Sequence, residues 1–148
     1  MNELLQEVVQ LNQVLIKEEN AVIEWGNLPV IRAAKTPLLQ LLQNLIGNAL
    51  KYRKTDESPH IKVSFLETIT SWQFAVADNG IGIDPQFFDK IFVIFQRLHH
   101  RDEFSGTGLG LAICKKIIDG LKGKIWVESV QDQGSTFYFT ISKFLGDK

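Results

Sequence analysis

Three short stretches combine polar side chains and glycines in ways that could serve chemistry, and each also has an ordinary explanation. In QLLQNLIGNALKY, Asn44, Asn48, Lys51 and Tyr52 follow one another at spacings of four, three and one. That spacing sets their polar groups along one side of a leucine-rich helix. Asparagine is a poor helix former, and two of them beside core positions need partners for their amides. Those partners are either nearby backbone and solvent or a ligand: an amide oxygen suits a hard cation such as Mg²⁺, and Lys51 suits a phosphate. In ADNGIGID, Asp78 ends an alternating strand, and Asn79, Gly80 and Gly82 bend the chain and leave room for close approach. Asp-Asn-Gly alone is an ordinary turn. A second glycine flanked by Ile81 and Ile83 exceeds what a turn needs, and a carboxylate held there can accept a hydrogen bond from an exocyclic amine such as adenine presents.

In SGTGLGLAICKKII, Gly106, Gly108 and Gly110 lead into an amphipathic helix. Its free N-terminal N–H groups can form an anion site, unless the glycines serve helix entry alone. No Gly-Lys-Ser/Thr follows, which excludes a Walker A loop, and the GxGxG spacing after a loop is not a dinucleotide fingerprint. Between the second and third stretches lies KIFVIFQRLHHRDEF, where Phe92 and Phe95 can anchor a loop while Arg97, His99, His100 and Arg101 reach a polyphosphate. The same composition also describes a solvated basic turn or a contact with single-stranded nucleic acid.

Composition narrows these choices. With 148 residues, 45% of them hydrophobic and ten of them phenylalanine, the chain can bury one core of its own. A net charge of −1 provides no overall attraction to nucleic acid or to an anionic membrane. Phosphate binding must therefore be local. Glu3 and Glu7 stand where a secretion signal needs basic residues, and no apolar run is long enough to span a bilayer, so a cytoplasmic chain without direct membrane contact is expected. The single cysteine, Cys114, excludes an internal disulfide and a multi-cysteine zinc site, and its place in an apolar helical pattern predicts a buried small residue.

The elements that must position these groups follow from periodicity. Leu4, Leu5, Val8, Leu11 and Leu15 predict an amphipathic lead-in helix within residues 1–20, either part of the fold or the end of an upstream dimerisation region, with a catalytic unit over 21–148. Short strands are expected at Ala21 to Trp25 and Val30 to Arg32. Thr36-Pro37 offers an N-cap and first-turn proline for a helix from Pro37 to about Tyr52. Ile61 to Leu66 and Trp72 to Ala77 alternate as a hairpin. Asp84 to Ser105 reads as a loop with a short helix around Phe87 to Phe92, and Thr107 to Leu121 as a helix. Two closing strands, around Ile125 to Val127 and Phe137 to Ile141, flank a turn at Gln131 to Gly134. The sum is an α/β sandwich with helices on one face of a mixed sheet.

Taken in order, QNLIGNALKY, ADNGIGID, KIFVIFQRLH and GTGLGLA resemble the N box, first glycine box, F box and second glycine box of the ATP-binding domain of sensor histidine kinases. The wider group includes type II topoisomerases, mismatch-repair ATPases and certain chaperones. FVIFQRLH, AICKKI and GKIWVES further resemble the kinase modules of phytochrome-like sensors. The resemblance covers roughly Leu28 to Ile141. It implies a two-layer Bergerat-type fold: a mostly antiparallel mixed sheet of about five strands, three main helices on one face, and an ATP lid.

By position it implies a magnesium-binding role for Asn48 with Asn44 beside it, a phosphate role for Lys51 and a base-side role for Tyr52. Asp78 corresponds to the adenine-reading aspartate, with Gly80, Gly82 and Ile83 shaping that pocket. Phe92 belongs to the F box. Gly106, Thr107, Gly108, Leu109 and Gly110 correspond to the loop around the triphosphate, Thr136 to an adenine-side water contact, and Arg97 and Arg101 to lid cations. ATP and Mg²⁺ are the implied ligands. The implied partners are a histidine-bearing dimerisation domain and a response regulator.

The wider group's hydrolases carry a glutamate one turn before the metal-binding asparagine, where this chain has Asn44. An amide cannot take a proton from water, so transfer to a supplied acceptor is expected in place of efficient hydrolysis. Ala34-Lys35 stand where related kinases often have Gly-Asp. None of His60, His99 and His100 is followed by the acidic residue and proline of an acceptor box, so the acceptor is expected on a separate domain. A serine kinase of the anti-sigma type and a degenerate nucleotide-binding docking module are the alternatives.

Overall fold

The computed structural model describes residues 1–88, 91–92 and 109–145. Alternation dictates the sheet. In β1 (Val22–Trp25), β2 (His60–Glu67), β3 (Ser71–Asp78), β4 (Ile125–Val130) and β5 (Gly134–Ser142), every second side chain faces the same way. The inward set includes Ile61, Val63, Phe74, Val76, Ile125, Val127, Phe137, Phe139 and Ile141, all buried. Strand order is β1-β2-β3-β5-β4, with β1 parallel to β2 and every other pair antiparallel. The register sets Val63 opposite Val76, Phe74 opposite Phe139 and Val127 opposite Phe137. The Phe74 and Phe139 rings stack at 5.1 Å.

Against this face lies α3 (Lys35–Lys51), whose Leu38, Leu41, Leu42, Leu45, Ile46, Ala49 and Leu50 recur at three or four residues and are all buried. It packs between α1 (Asn2–Leu11) and α4 (Leu109–Gly120). Whether the lead-in helix belongs to the fold was open from sequence alone. Leu5 and Val8 of α1 are fully buried in the same core. The lead-in breaks at Asn12, whose amide donates to the Val8 carbonyl at 2.8 Å and to Gln43 Oε1 on α3 at 2.9 Å. A second piece, α2 (Gln13–Glu19), ends at Asn20 in the left-handed region with φ 53°. That conformation suits asparagine better than a branched side chain.

Two local expectations need correcting. Val30 to Arg32 forms no strand. The long helix begins at Lys35 with Ala34 as its cap, so Thr36 lies inside the first turn and makes no cap bond. Pro37 is tolerated there because first-turn N–H groups have no intrahelical acceptor to lose. The short helix expected around Phe87 to Phe92 falls partly outside the described residues. What is described is a 3₁₀ turn at Pro85–Phe87, with Asp84 Oδ1 accepting from the Gln86 N–H at 3.0 Å. The hairpin at Thr68 to Ser71 and the turn at Gln131 to Gly134 lie where the sequence puts them.

Candidate functional site

Asp78 ends β3 with its carboxylate facing the gap between the sheet and α3. Its Oδ1 accepts backbone N–H groups from Gly80 at 2.8 Å and Ser135 at 3.2 Å. Burial raises the carboxyl above its ordinary 3.8, and the two N–H donors pull the other way. The following turn is tied on three sides. The Ile81 N–H donates to the Tyr52 carbonyl at the end of α3 (3.1 Å), the Asp132 N–H donates to the Ile81 carbonyl (2.7 Å), and the Ile83 N–H donates to Ser129 Oγ on β4 (2.7 Å). Asn79 reaches back to β2, accepting from the His60 N–H at 2.8 Å and donating to the Ser58 carbonyl at 3.1 Å.

Both glycines in this turn are sterically required. A Cβ on Gly80 would lie 2.6 Å from the Tyr52 carbonyl oxygen. Gly82 has φ +75°, and a Cβ there would run into the Val130 carbonyl oxygen.

These ties leave a pocket of about 350 Å³ lined by Asn48, Ala49, Tyr52, Asp78, Gly82, Ile83, Leu111, Ser135 and Phe137. Five of the residues singled out from sequence, Asn48, Tyr52, Asp78, Gly82 and Ile83, therefore meet on one concavity, and Gly80 shapes its rim. Phe92 stands behind it, edge-on to Phe137 with ring centroids 6.2 Å apart. Lys51 occupies the last turn of α3, beside Tyr52. Asn44 lies one turn before Asn48, where its buried Nδ2 has no hydrogen-bond partner among the described residues. Gly110 in the first turn of α4 comes close to it: a Cβ there would be 3.7 Å from Asn44 Oδ1. The helix that leaves the glycine loop is thus seated against the polar side of α3. Leu109 opens that helix. Arg97, Arg101, Gly106, Thr107 and Gly108 lie outside the described residues.

Thr136 is not in the pocket. It pairs with Ala77 across β3, and alternation along β5 turns it to the opposite face from Ser135 and Phe137. Ser135 is the pocket residue instead, and 6% exposed. The signal that finds it is present in the sequence: Phe137, Phe139 and Ile141 fix the inward face, so position 135 must share it. Cys114 is fully buried, and its thiol is pushed up to about 12, first by desolvation.

An apolar slot of Ala49, Ile83, Leu111 and Phe137, with an acceptor carboxylate in its wall, fits a planar heterocycle carrying an amino group. For a divalent cation the protein offers little by itself. No group of three or more His, Cys, Asp or Glu side chains gathers among the described residues, and the amide of Asn48 is one neutral ligand. Mg²⁺ is ordinarily held by few protein ligands together with substrate phosphates, so these residues fit a metal that arrives with a polyphosphate.

A sequence profile described as histidine kinase-, DNA gyrase B- and HSP90-like ATPase matches residues 33–144. The phytochrome-like protein Cph1 of Synechocystis sp. is 58% identical over 126 residues, covering 85% of this chain and 17% of that protein. The chain thus spans about a sixth of that relative's length. The catalytic domain of the histidine kinase ThkA superposes with a TM-score of 0.78 at 36% identity, over 96% of this chain and 93% of that one. ThkA in complex with the response regulator protein TrrA gives 0.77 at 32% identity, over 100% and 42%. Full-length ShkA in complex with AMPPNP gives 0.79 at 30% identity, over 94% and 29%. With its sheet order, its pocket between α3 and the β3 turn, and these matches, the chain belongs to the histidine kinase-, DNA gyrase B- and HSP90-like ATPase family, and within it is a histidine-kinase catalytic domain.

Proposed function

We propose that this domain binds Mg-ATP in the pocket at Asp78 and passes the γ-phosphate to a histidine on a dimerisation domain, from which a response regulator takes it. One observation carries the choice of transfer over hydrolysis: α3 has no acidic residue anywhere from Lys35 to Lys51, and Asn44 occupies the turn before Asn48. A general base for water is therefore missing from the helix that faces the ligand. Reaction then depends on positioning an external nucleophile.

In this reading Asp78 accepts from the exocyclic amine, and Tyr52 and Ile83 flank the base. The Asn48 amide oxygen would hold a magnesium ion arriving with the nucleotide, which would neutralise phosphate charge, and Lys51 adds a positive charge beside it. Gly106, Thr107, Gly108, Leu109 and Gly110 supply backbone donors to the phosphates. Arg97 and Arg101 supply lid cations. The ThkA–TrrA complex supports a response regulator as the downstream partner. Residues 1–20 lead in from the dimerisation domain while seating on α3. The ATP requirement fits a cytoplasmic site of action, and no helix among the described residues is long and apolar enough to cross a membrane.

Calorimetric titration with AMPPNP, with and without Mg²⁺ and against the guanine analogue, tests the binding step. Saturable, adenine-selective, magnesium-sensitive binding is expected, and Asn48→Ala should weaken only the magnesium-dependent part, by roughly tenfold. An Asn48→Ala protein with wild-type magnesium response would remove the metal assignment. Absent binding in the wild type would leave a docking module. Transfer of labelled phosphate to a separate acceptor fragment should give an acid-labile product, whereas acid-stable label would indicate a serine acceptor.

A further inference from the structure

Three side-chain bridges tie the lead-in helices to α3, and they climb it in order. Glu7 pairs with Lys35 in its first turn at 3.1 Å, and Asn12 and Gln43 exchange amide hydrogen bonds at its middle. Glu19 Oε1 then accepts from Arg53 Nη2, just past its end, at 2.9 Å. Residue numbers rise together on both sides, so the lead-in runs alongside α3 in the same direction and finishes at the end that lines the pocket.

The first bridge is exposed and contributes little. The last is different, with side chains of Arg53 and Glu19 only 30% and 32% exposed. Glu19 is the final residue of α2, where a carboxylate opposes the helix dipole. The end of α3 lacks a left-handed glycine cap, since Tyr52 follows with φ −94° and ψ 37°. One guanidinium answers both ends. Its Nη2 meets Glu19 while its Nη1 donates to the Leu50 carbonyl at 2.9 Å, in the helix turn whose carbonyls have no intrahelical partner. The bond from residue 53 back to residue 50 encloses Lys51 and Tyr52, and the Tyr52 carbonyl in turn accepts the Ile81 N–H of the turn after β3.

We propose that Arg53 is a positioning residue for nucleotide binding: held by Glu19 of the lead-in, it fixes the end of α3 so that Lys51 and Tyr52 meet the ligand, and so couples the placement of the lead-in to nucleotide affinity. This rests on the nucleotide reading above and adds to it a connection from outside the pocket, which neither Glu19 nor Arg53 lines. A planar fork suits the role, because a carboxylate on one nitrogen aims the other. Without Glu19, a long side chain regains its rotamer freedom and the Leu50 carbonyl loses a fixed donor.

Charge gives the test its sign. Removing an anion near a polyphosphate site strengthens anion binding by Coulomb attraction alone, whereas removing the partner that aims Arg53 weakens it. Mg-AMPPNP is titrated calorimetrically into the whole chain carrying Glu19→Gln, Arg53→Gln or both, well below the Tm of each variant. Under those conditions a mere loss of stability leaves the affinity of the folded protein unmoved. Glu19→Gln is expected to weaken AMPPNP about threefold or more, and to add nothing in the Arg53→Gln background, where the group it acts through is gone. Unchanged or tighter binding by Glu19→Gln, or an equal loss with and without Arg53, would overturn the proposal. Arg53→Lys keeps the charge and loses the fork, and carries the test should Glu19→Gln not fold. It should also weaken AMPPNP about threefold or more, and wild-type affinity there would mean that charge alone matters and overturn the positioning role. A wild-type chain that does not bind AMPPNP would overturn the nucleotide reading together with this one, whereas wild-type binding that ignores Glu19 overturns this one alone.

Discussion

A carboxylate that is buried works against the fold when it ionises, and Asp78 is buried at the end of β3. Desolvation raises its pKa above 3.8, so the folded state binds its proton more tightly than the unfolded chain does. The sign follows directly: this group favours folding below 3.8, and the contribution is lost as pH rises through the raised value. Ionisation of Asp78 therefore costs stability, and under the proposed function its carboxylate serves as the acceptor in the pocket. Asp78→Asn keeps an oxygen for the Gly80 and Ser135 N–H groups and removes the charge. The substitution is expected to raise Tm at pH 7, to flatten the acid limb of the stability profile, and to abolish adenine preference. Thermal scans from pH 3 to 8 beside nucleotide titrations check this, and a lower Tm at neutral pH would contradict the burial argument. The choice between Thr136 and Ser135 belongs to the same scale. Both are small hydroxyl residues in GSTFYF, and the period of two along β5 separates them. The resemblance points to Thr136, whereas alternation from Phe137 and Phe139 puts Ser135 on the pocket side.

Elements were legible where periodicity was long, and blurred where capping or tertiary contact decided. The apolar spacing of α3 locates it well, but Thr36-Pro37 looks like a start signal while the helix begins at Lys35, since tertiary packing of Leu38 and Leu41 extends it past a cap with no side-chain bond. Val30 to Arg32 has β-type residues but pairs with none of the five strands of the sheet. Strand propensity without a partner edge gives no ladder. The lead-in helix could not be placed from its pattern alone, because amphipathy says that a face is buried and not against what. Leu5 settles this at 0% exposure in the common core. Leu5→Ala is expected to destabilise the whole domain by about 2–5 kcal/mol, in a single denaturant transition. A loss under about 0.5 kcal/mol would mean that α1 is an appendage. The turn after β3 is the element that shapes the pocket. Gly82→Ala must strain a φ of +75° and displace the Val130 carbonyl, so a loss of at least about 1–3 kcal/mol is expected, together with weaker nucleotide binding. Near-native stability by urea titration would show that the β4–β5 turn yields easily.

At the scale of the molecule, the proposed phosphotransfer requires an acceptor imidazole brought to the pocket. The pocket, the polar side of α3 and the start of α4 converge, yet no histidine among the described residues lines that pocket. His60 is the described histidine nearest in sequence to a site element, one residue before the Ile61–Asp78 pair. Its ring turns to Glu24 on β1, with Nε2 3.4 Å from the carboxylate, on the side of β2 away from β3. An imidazole engaged there is not placed to attack a phosphorus atom held beside Asn48, since in-line transfer needs reacting atoms within about 3–3.5 Å. Two outcomes follow for the proposed phosphotransfer. The chain incubated alone with γ-labelled ATP should remain unlabelled, and His60→Gln should transfer phosphate to an added acceptor fragment at the wild-type rate. If the chain labels itself and His60→Gln removes the label, the acceptor is internal and the domain is a complete kinase. If labelling appears only when the acceptor fragment is added, rising with its concentration and indifferent to His60, the reaction is divided between two domains, with this one supplying nucleotide, metal and orientation.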